Sequence, residues 1–104
     1  MKWWPVMAVA MAACSYAEDE FREDYISEFC QWDAHCKVYY DDQESCEFAL
    51  ENNYSDLVAG CTYDAKSARR CIKGIFDVEC PADGEDPAWP VECEDAYTDC
   101  PDPQ

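Results

Sequence analysis

The chain has 104 residues, nine of them cysteine, and sets 24 Asp and Glu against seven Lys and Arg for a formal charge of −17. So acidic a surface excludes nucleic acid as a partner and excludes attraction to anionic lipid headgroups, since both need clustered cations. The length allows one domain, and the cysteine density points to an oxidising compartment in which thiols pair.

Lys2 followed by the uncharged, mostly apolar run from Trp3 to Ala13 has the form of a signal peptide. The run is eleven residues, well under the roughly 20 that a membrane-spanning helix needs. Met11-Ala12-Ala13-Cys14 resembles a bacterial lipobox, in which cleavage occurs before a cysteine that has been diacylated. Residues 1–13 are then the signal, Cys14 is the lipidated N-terminus and 14–20 form an acidic tether to a domain at 21–104. Ser15-Tyr16-Ala17 offers a competing site for ordinary signal peptidase and would release a soluble protein starting at Glu18. Both routes leave an even set of cysteines: Cys30, Cys36, Cys46, Cys61, Cys71, Cys80, Cys93 and Cys100.

Phe21, Tyr25, Phe29, Trp32, Cys36 and Tyr39 recur at helical steps, predicting a first helix over about Arg22 to Tyr40. Asp41 with Glu44 reads as a capping box for a second helix carrying Cys46, Leu50, Tyr54 and Leu57 or Val58. Asn52-Asn53 weakens this helix, which ends by Gly60. Asp64 caps a third, with Ala65, Ala68, Cys71, Ile72, Ile75 and Phe76 as its apolar stripe. Prolines 81, 87, 90, 101 and 103 break up the remainder, and no sustained alternation predicts a strand. The expected fold is therefore a small all-α, three-helix domain, stapled by disulfides, with an irregular acidic tail that contains proline.

Cys30 and Cys36 on one helix point about 120° apart, separated by roughly 9 Å along its axis, so they bond elsewhere. An antiparallel hairpin of the first two helices predicts Cys36 with Cys46 and leaves Cys30 facing Cys71. Cys93 and Cys100 are left for Cys80 and Cys61 in an order that stays open among about 105 possible connectivities.

Catalysis has little to work with. His35, the single histidine, neighbours two cysteines expected in disulfides, and its simplest reading is a helix-surface residue. Gaps of 5 to 14 residues between successive cysteines from Cys30 fit no zinc motif. Asp41, Asp42 and Glu44, and Asp83, Glu85 and Asp86 around Gly84, are the oxygen-rich clusters. Neither has EF-hand spacing, and a helix cap and a solvated turn account for them, so no cofactor or metal is expected. Lys66, Arg69, Arg70 and Lys73 make the third helix cationic, matching an acidic tail wrapped over it. Trp32, Trp89 and the seven tyrosines suit either a binding face or, in a domain short of Leu and Val, the core itself; core is the simpler reading.

The blocks FCQWDAHC, ESCEFAL, CTYDAKSARRCIKGIFDVEC and PVECEDAYTDC resemble the short cysteine-rich predicted lipoproteins of myxobacteria and related bacteria. The most specific element is Cys61-x-Tyr63-Asp64-Ala65 leading into a helix with Ala68 and Cys71 and ending at Cys80. The resemblance implies export, lipidation at Cys14 and a disulfide-stapled helical domain, with no enzymatic activity attached. Two roles follow: a lipid-anchored structural or interaction protein of the cell envelope with an unidentified protein partner, or a freely secreted ligand or inhibitor. An acidic calcium binder is a third.

Overall fold

The structure, a computed structural model, describes residues 16–101. The signal segment and Cys14 lie outside the described residues. Within them the chain forms α1 (Glu18–Cys36), α2 (Gln43–Leu57), β1 (Thr62–Tyr63), α3 (Ala65–Ile75), α4 (Val91–Asp95) and β2 (Tyr97–Thr98). The domain is mostly helical, with α1 central and packed against both α2 and α3, and α4 lying on α3.

Three boundaries differ from the sequence reading. Glu18, Asp19 and Glu20, expected in a tether, form the first turn of α1, where acidic side chains suit the positive end of the helix dipole. At its other end α1 stops at Cys36 rather than Tyr40. Lys37 turns left-handed (φ 54°), and the fully buried Asp33 carboxylate reaches forward to hold the Tyr39 and Tyr40 N–H groups at 2.8 and 3.0 Å. The start of α2 then falls one residue later: Asp42 rather than Asp41 is the N-cap, its Oδ1 accepting from the Ser45 N–H at 2.7 Å. Glu44 sits at the second helical position, one short of the reciprocal bond of a capping box.

α2 continues through Asn52 and Asn53, whose side-chain amides donate to the Phe48 and Ala49 carbonyls one turn back. It ends at Leu57, and Gly60 takes the turn with φ 77°. The Asp64 Oδ2 accepts from the Ser67 N–H at 2.9 Å and caps α3, which buries Ala68, Cys71 and Ile75. Phe76, placed in that stripe, follows the last helical residue and is 69% exposed. A short antiparallel pair, Thr62 with Thr98 and Tyr63 with Tyr97, corrects the expectation of no strand; two residues are too few for alternation to register. The tail also contains the five-residue α4, which makes a fourth helix among the described residues.

Four disulfides join the eight cysteines of the described residues: Cys30–Cys46, Cys36–Cys80, Cys61–Cys100 and Cys71–Cys93. The predicted Cys36–Cys46 and Cys30–Cys71 bonds are therefore wrong: α1 and α2 do pair antiparallel, but the ends of the expected hairpin are placed wrongly. Arg22 meets Glu51 and Tyr54 while Cys30 meets Cys46, so α1 and α2 run antiparallel. Because residues 37–42 form a wide connector, Cys46 comes level with Cys30, well back along α1. Cys36, at the helix end, then reaches Cys80 beyond α3, where the Trp32 indole N–H also donates to the Val78 carbonyl.

The core lies on two sides of α1. Phe21 packs with Ala68, Cys71, Ile75 and Ala96 on the α3 side, while Ile26 and Cys30 pack with Cys46 and Tyr54 on the α2 side. The single aromatic stripe read from the sequence missed the adjacent row of Ile26, Cys30 and Asp33, all buried. Lys66, Arg69, Arg70 and Lys73 are exposed. The acidic tail meets α3 through Cys71–Cys93 and through Pro90 against Gly74, a covalent and apolar seam rather than the expected match of charges.

Candidate functional site

A four-residue step along α1 sets Tyr25 and Phe29 on one face, with ring centroids 5.9 Å apart and planes within 12°. The connector folded back by Asp33 adds Tyr39, whose ring stands 6.0 Å from Phe29 and within 24° of parallel. From the tail comes Trp89, edge-on to Phe29 at 5.3 Å and to Trp32 at 5.1 Å. Its backbone N–H donates to the Pro87 carbonyl at 3.0 Å, and Pro87 and Pro90 on either side stiffen the turn that presents the indole.

Together with Tyr40, Leu50, Asp86 and Pro87 these rings line an open groove of about 420 Å³. Tyr39 is 55% exposed, and Tyr25, Phe29, Tyr40 and Trp89 are half-buried. The aromatic residues thus divide: Phe21, Trp32 and Tyr54 belong to the core, as the simpler reading held, while a second set forms a surface. Asp86 supplies the one ionic group of the lining, and among the described residues no Lys, Arg or His faces the groove.

A smaller recess of about 210 Å³ adjoins it through Tyr25 and Leu50 and is backed by Phe21, Tyr54 and Tyr97. The Tyr54 and Tyr97 hydroxyls lie 2.9 Å apart, and Tyr97 donates to the Glu18 carboxylate at 3.2 Å. Burial raises the Tyr25, Tyr54 and Tyr97 phenols above their ordinary value, and desolvation pushes Tyr63 up to about 12. These phenols stay neutral at physiological pH and offer hydroxyl donors and ring faces.

His35 is exposed in the last turn of α1. Its neighbours Cys30 and Cys36 are disulfide-bonded, so neither sulfur is a thiolate. Of the two oxygen-rich clusters, Asp42 is committed to capping α2, which keeps its carboxyl below the usual range through the Ser45 hydrogen bonds. The other follows a turn in which Gly84 has φ 82° and the Glu85 N–H donates to Ala82. Glu85 and Asp86 there share a recess of about 480 Å³ with Asp77 and Glu79. Among the described residues no three His, Cys, Asp or Glu side chains converge as a metal site, and no helix is long and apolar enough to cross a membrane.

Sequence reasoning placed Tyr39 on a helix and left Trp89 without a partner. The Pro87–Pro90 bracket around Trp89 was the available signal for a fixed aromatic on the surface. Comparison with protein-family models, with curated proteins and with solved structures finds no match.

Proposed function

We propose that this is an exported, lipid-anchored protein of the bacterial cell envelope, non-enzymatic, with an interaction role. The observation that carries the reading is the seating of Tyr16. Its hydroxyl donates to the Asp24 carboxylate, its carbonyl accepts from the Tyr63 hydroxyl at 2.8 Å, and its ring packs edge-on against Phe21 at 6.0 Å. The Arg69 guanidinium lies over the same ring at 5.7 Å. Ala17 is the N-cap of α1, and its carbonyl accepts the first helical hydrogen bond, from Phe21, at 3.0 Å.

Cleavage after Ala17 would remove all of these contacts and leave a charged amine on the first residue of α1, against the helix dipole. Cleavage before Cys14 retains them. These contacts favour the route that cuts before Cys14, in which a single residue, Ser15, separates the lipidated cysteine from Tyr16. Four disulfides in so small a domain support an oxidising, extracytoplasmic setting. The non-enzymatic reading rests on the bonded cysteines and the exposed His35. The resemblance to myxobacterial cysteine-rich lipoproteins agrees with this assignment.

Mass spectrometry of the mature N-terminus tests it: the expected species begins at an acylated Cys14, and Cys14→Ser should move the protein out of the membrane fraction. A soluble protein beginning at Glu18 would overturn the anchoring.

A further inference from the structure

We propose that the groove formed by Tyr25, Phe29, Tyr39, Tyr40 and Trp89, with Asp86 in its wall, binds an organic cation of the quaternary or fully alkylated ammonium type. Five aromatic rings and one carboxylate are the chemistry that such a cation selects. Ring faces carry negative potential, methyl groups pack against them, and a quaternary nitrogen has no N–H left to satisfy. The polar atoms of the lining are the Asp86 carboxylate, the hydroxyls of Tyr25, Tyr39 and Tyr40 and the Trp89 indole N–H; a primary ammonium would bring three N–H groups to satisfy among them, whereas a quaternary one brings none and rests on the rings.

Charge selects in the same direction. No cation of the protein lines the groove among the described residues, and the chain carries −17 overall, so anionic ligands are repelled and cations are steered in. The domain already uses the same interaction on two nearby tyrosines, with Arg22 over Tyr54 and Arg69 over Tyr16, each at 5.7 Å. At about 420 Å³ the groove is of small-ligand size. Trp89 is held between two prolines and the Phe29 and Trp32 rings, so little ordering remains to be done on binding. The site does not depend on how the protein is anchored.

The test uses the exported, disulfide-bonded protein carried by a general secretory signal that is cleaved before Ser15, which removes Cys14 and keeps membrane anchoring out of the measurement. Trp32 and Trp89 are the only tryptophans outside the signal segment; Trp89 lines the groove and Trp32 packs against it from the core, so a change in fluorescence on binding reports on Trp89 and its neighbour. Choline chloride at constant ionic strength should give a saturable change, and 3,3-dimethyl-1-butanol, its uncharged counterpart, should bind roughly tenfold more weakly or less. Tyr39→Leu and Asp86→Asn alter exposed residues and should each weaken choline roughly three- to tenfold with unchanged circular dichroism. Sedimentation with phosphatidylcholine vesicles, competed by choline, would identify a lipid headgroup as the source of the cation; choline binding without vesicle binding would identify a free one. Absence of a saturable response, equal binding of the uncharged alcohol, or unchanged affinity in both variants would overturn the proposal.

Discussion

Replacing Asp33 by Asn keeps the size of the side chain and removes its charge at the point where α1 gives way to the groove. The carboxylate is 0% exposed and accepts from two consecutive backbone N–H groups, Tyr39 at 2.8 Å and Tyr40 at 3.0 Å. An asparagine can accept with its single oxygen only, and its NH₂ group would face the second N–H donor. One charge-assisted bond, worth about 1.5 to 3 kcal/mol, becomes a donor facing a donor, and the other is reduced to a neutral bond. The connector is partly open to water, which recovers some of the loss, so the expected destabilisation is about 2 to 3 kcal/mol. For a domain of this size that lowers Tm by roughly 10 to 20 °C. Thermal and urea unfolding of the oxidised protein, followed by circular dichroism, measures it. Because Asp33 also holds the backbone that presents Tyr39 and Tyr40, choline affinity should fall along with stability. A change below about 0.5 kcal/mol would refute the assignment of Asp33 as the group that folds the connector back.

Gly74→Ala should destabilise although it improves helix propensity by about 1 kcal/mol. The new Cβ would lie 2.8 Å from Pro90 Cγ and 3.0 Å from its Cβ in a ring that cannot turn aside, so a net loss of about 1 kcal/mol is expected in urea unfolding. Lys37→Gly should stabilise by about 0.5 to 1 kcal/mol in the same assay, since it relieves the left-handed φ of 54°. Replacing both Cys36 and Cys80 by Ala opens a closure of 44 residues and should cost about 4 kcal/mol, with groove binding lost before helix content in a denaturant series. Alkaline titration should find Tyr16, Tyr25, Tyr54, Tyr63 and Tyr97 ionising above the ordinary phenol value of 10.0, chiefly through burial. Unfolded phenols ionise first, so the stability these groups contribute is complete below pH 10 and is lost as pH rises through the folded values, about 12 for Tyr63. Tyrosinate absorbance recorded beside thermal melts would contradict this if all seven phenols titrated together near 10.

The three long helices were legible because their signals are local. The apolar spacing in α1 and α3, Asp64 with its 2.9 Å bond to Ser67, and the stop near Gly60 all depend on residues within a turn or two of one another. What was not legible depends on groups that meet across the chain. Nothing local marks Asp33 as a buried acceptor for residues six and seven positions later, and without it the first stripe reads on to Tyr39. That four-residue overrun shortens the connector and pulls Cys36 toward Cys46, so one boundary error produced the wrong disulfide. The tail was harder still, since Val91–Asp95 is less than two helical turns and its strand pairing spans two residues.

The same economy of local signal explains why the groove exists. Of the ten buried hydrophobic residues among those described, Cys30, Cys46, Cys71, Ala68 and Ala96 are small, so half of that core contributes little apolar area. A core of that kind holds because cross-links restrict the unfolded chain, and the large rings of Tyr25, Phe29, Tyr39 and Trp89 are released from the interior. Disulfides also decide where those rings stand. The segment carrying Asp86, Pro87 and Trp89 is clamped at one end by Cys36–Cys80 and at the other by Cys71–Cys93, so its two anchors are the C-terminal end of α1 and the middle of α3. Prolines within it remove most of the freedom that remains. A wall with no secondary structure of its own is thereby restrained at both ends, which lowers the ordering cost that the proposed binding of a small ligand would carry.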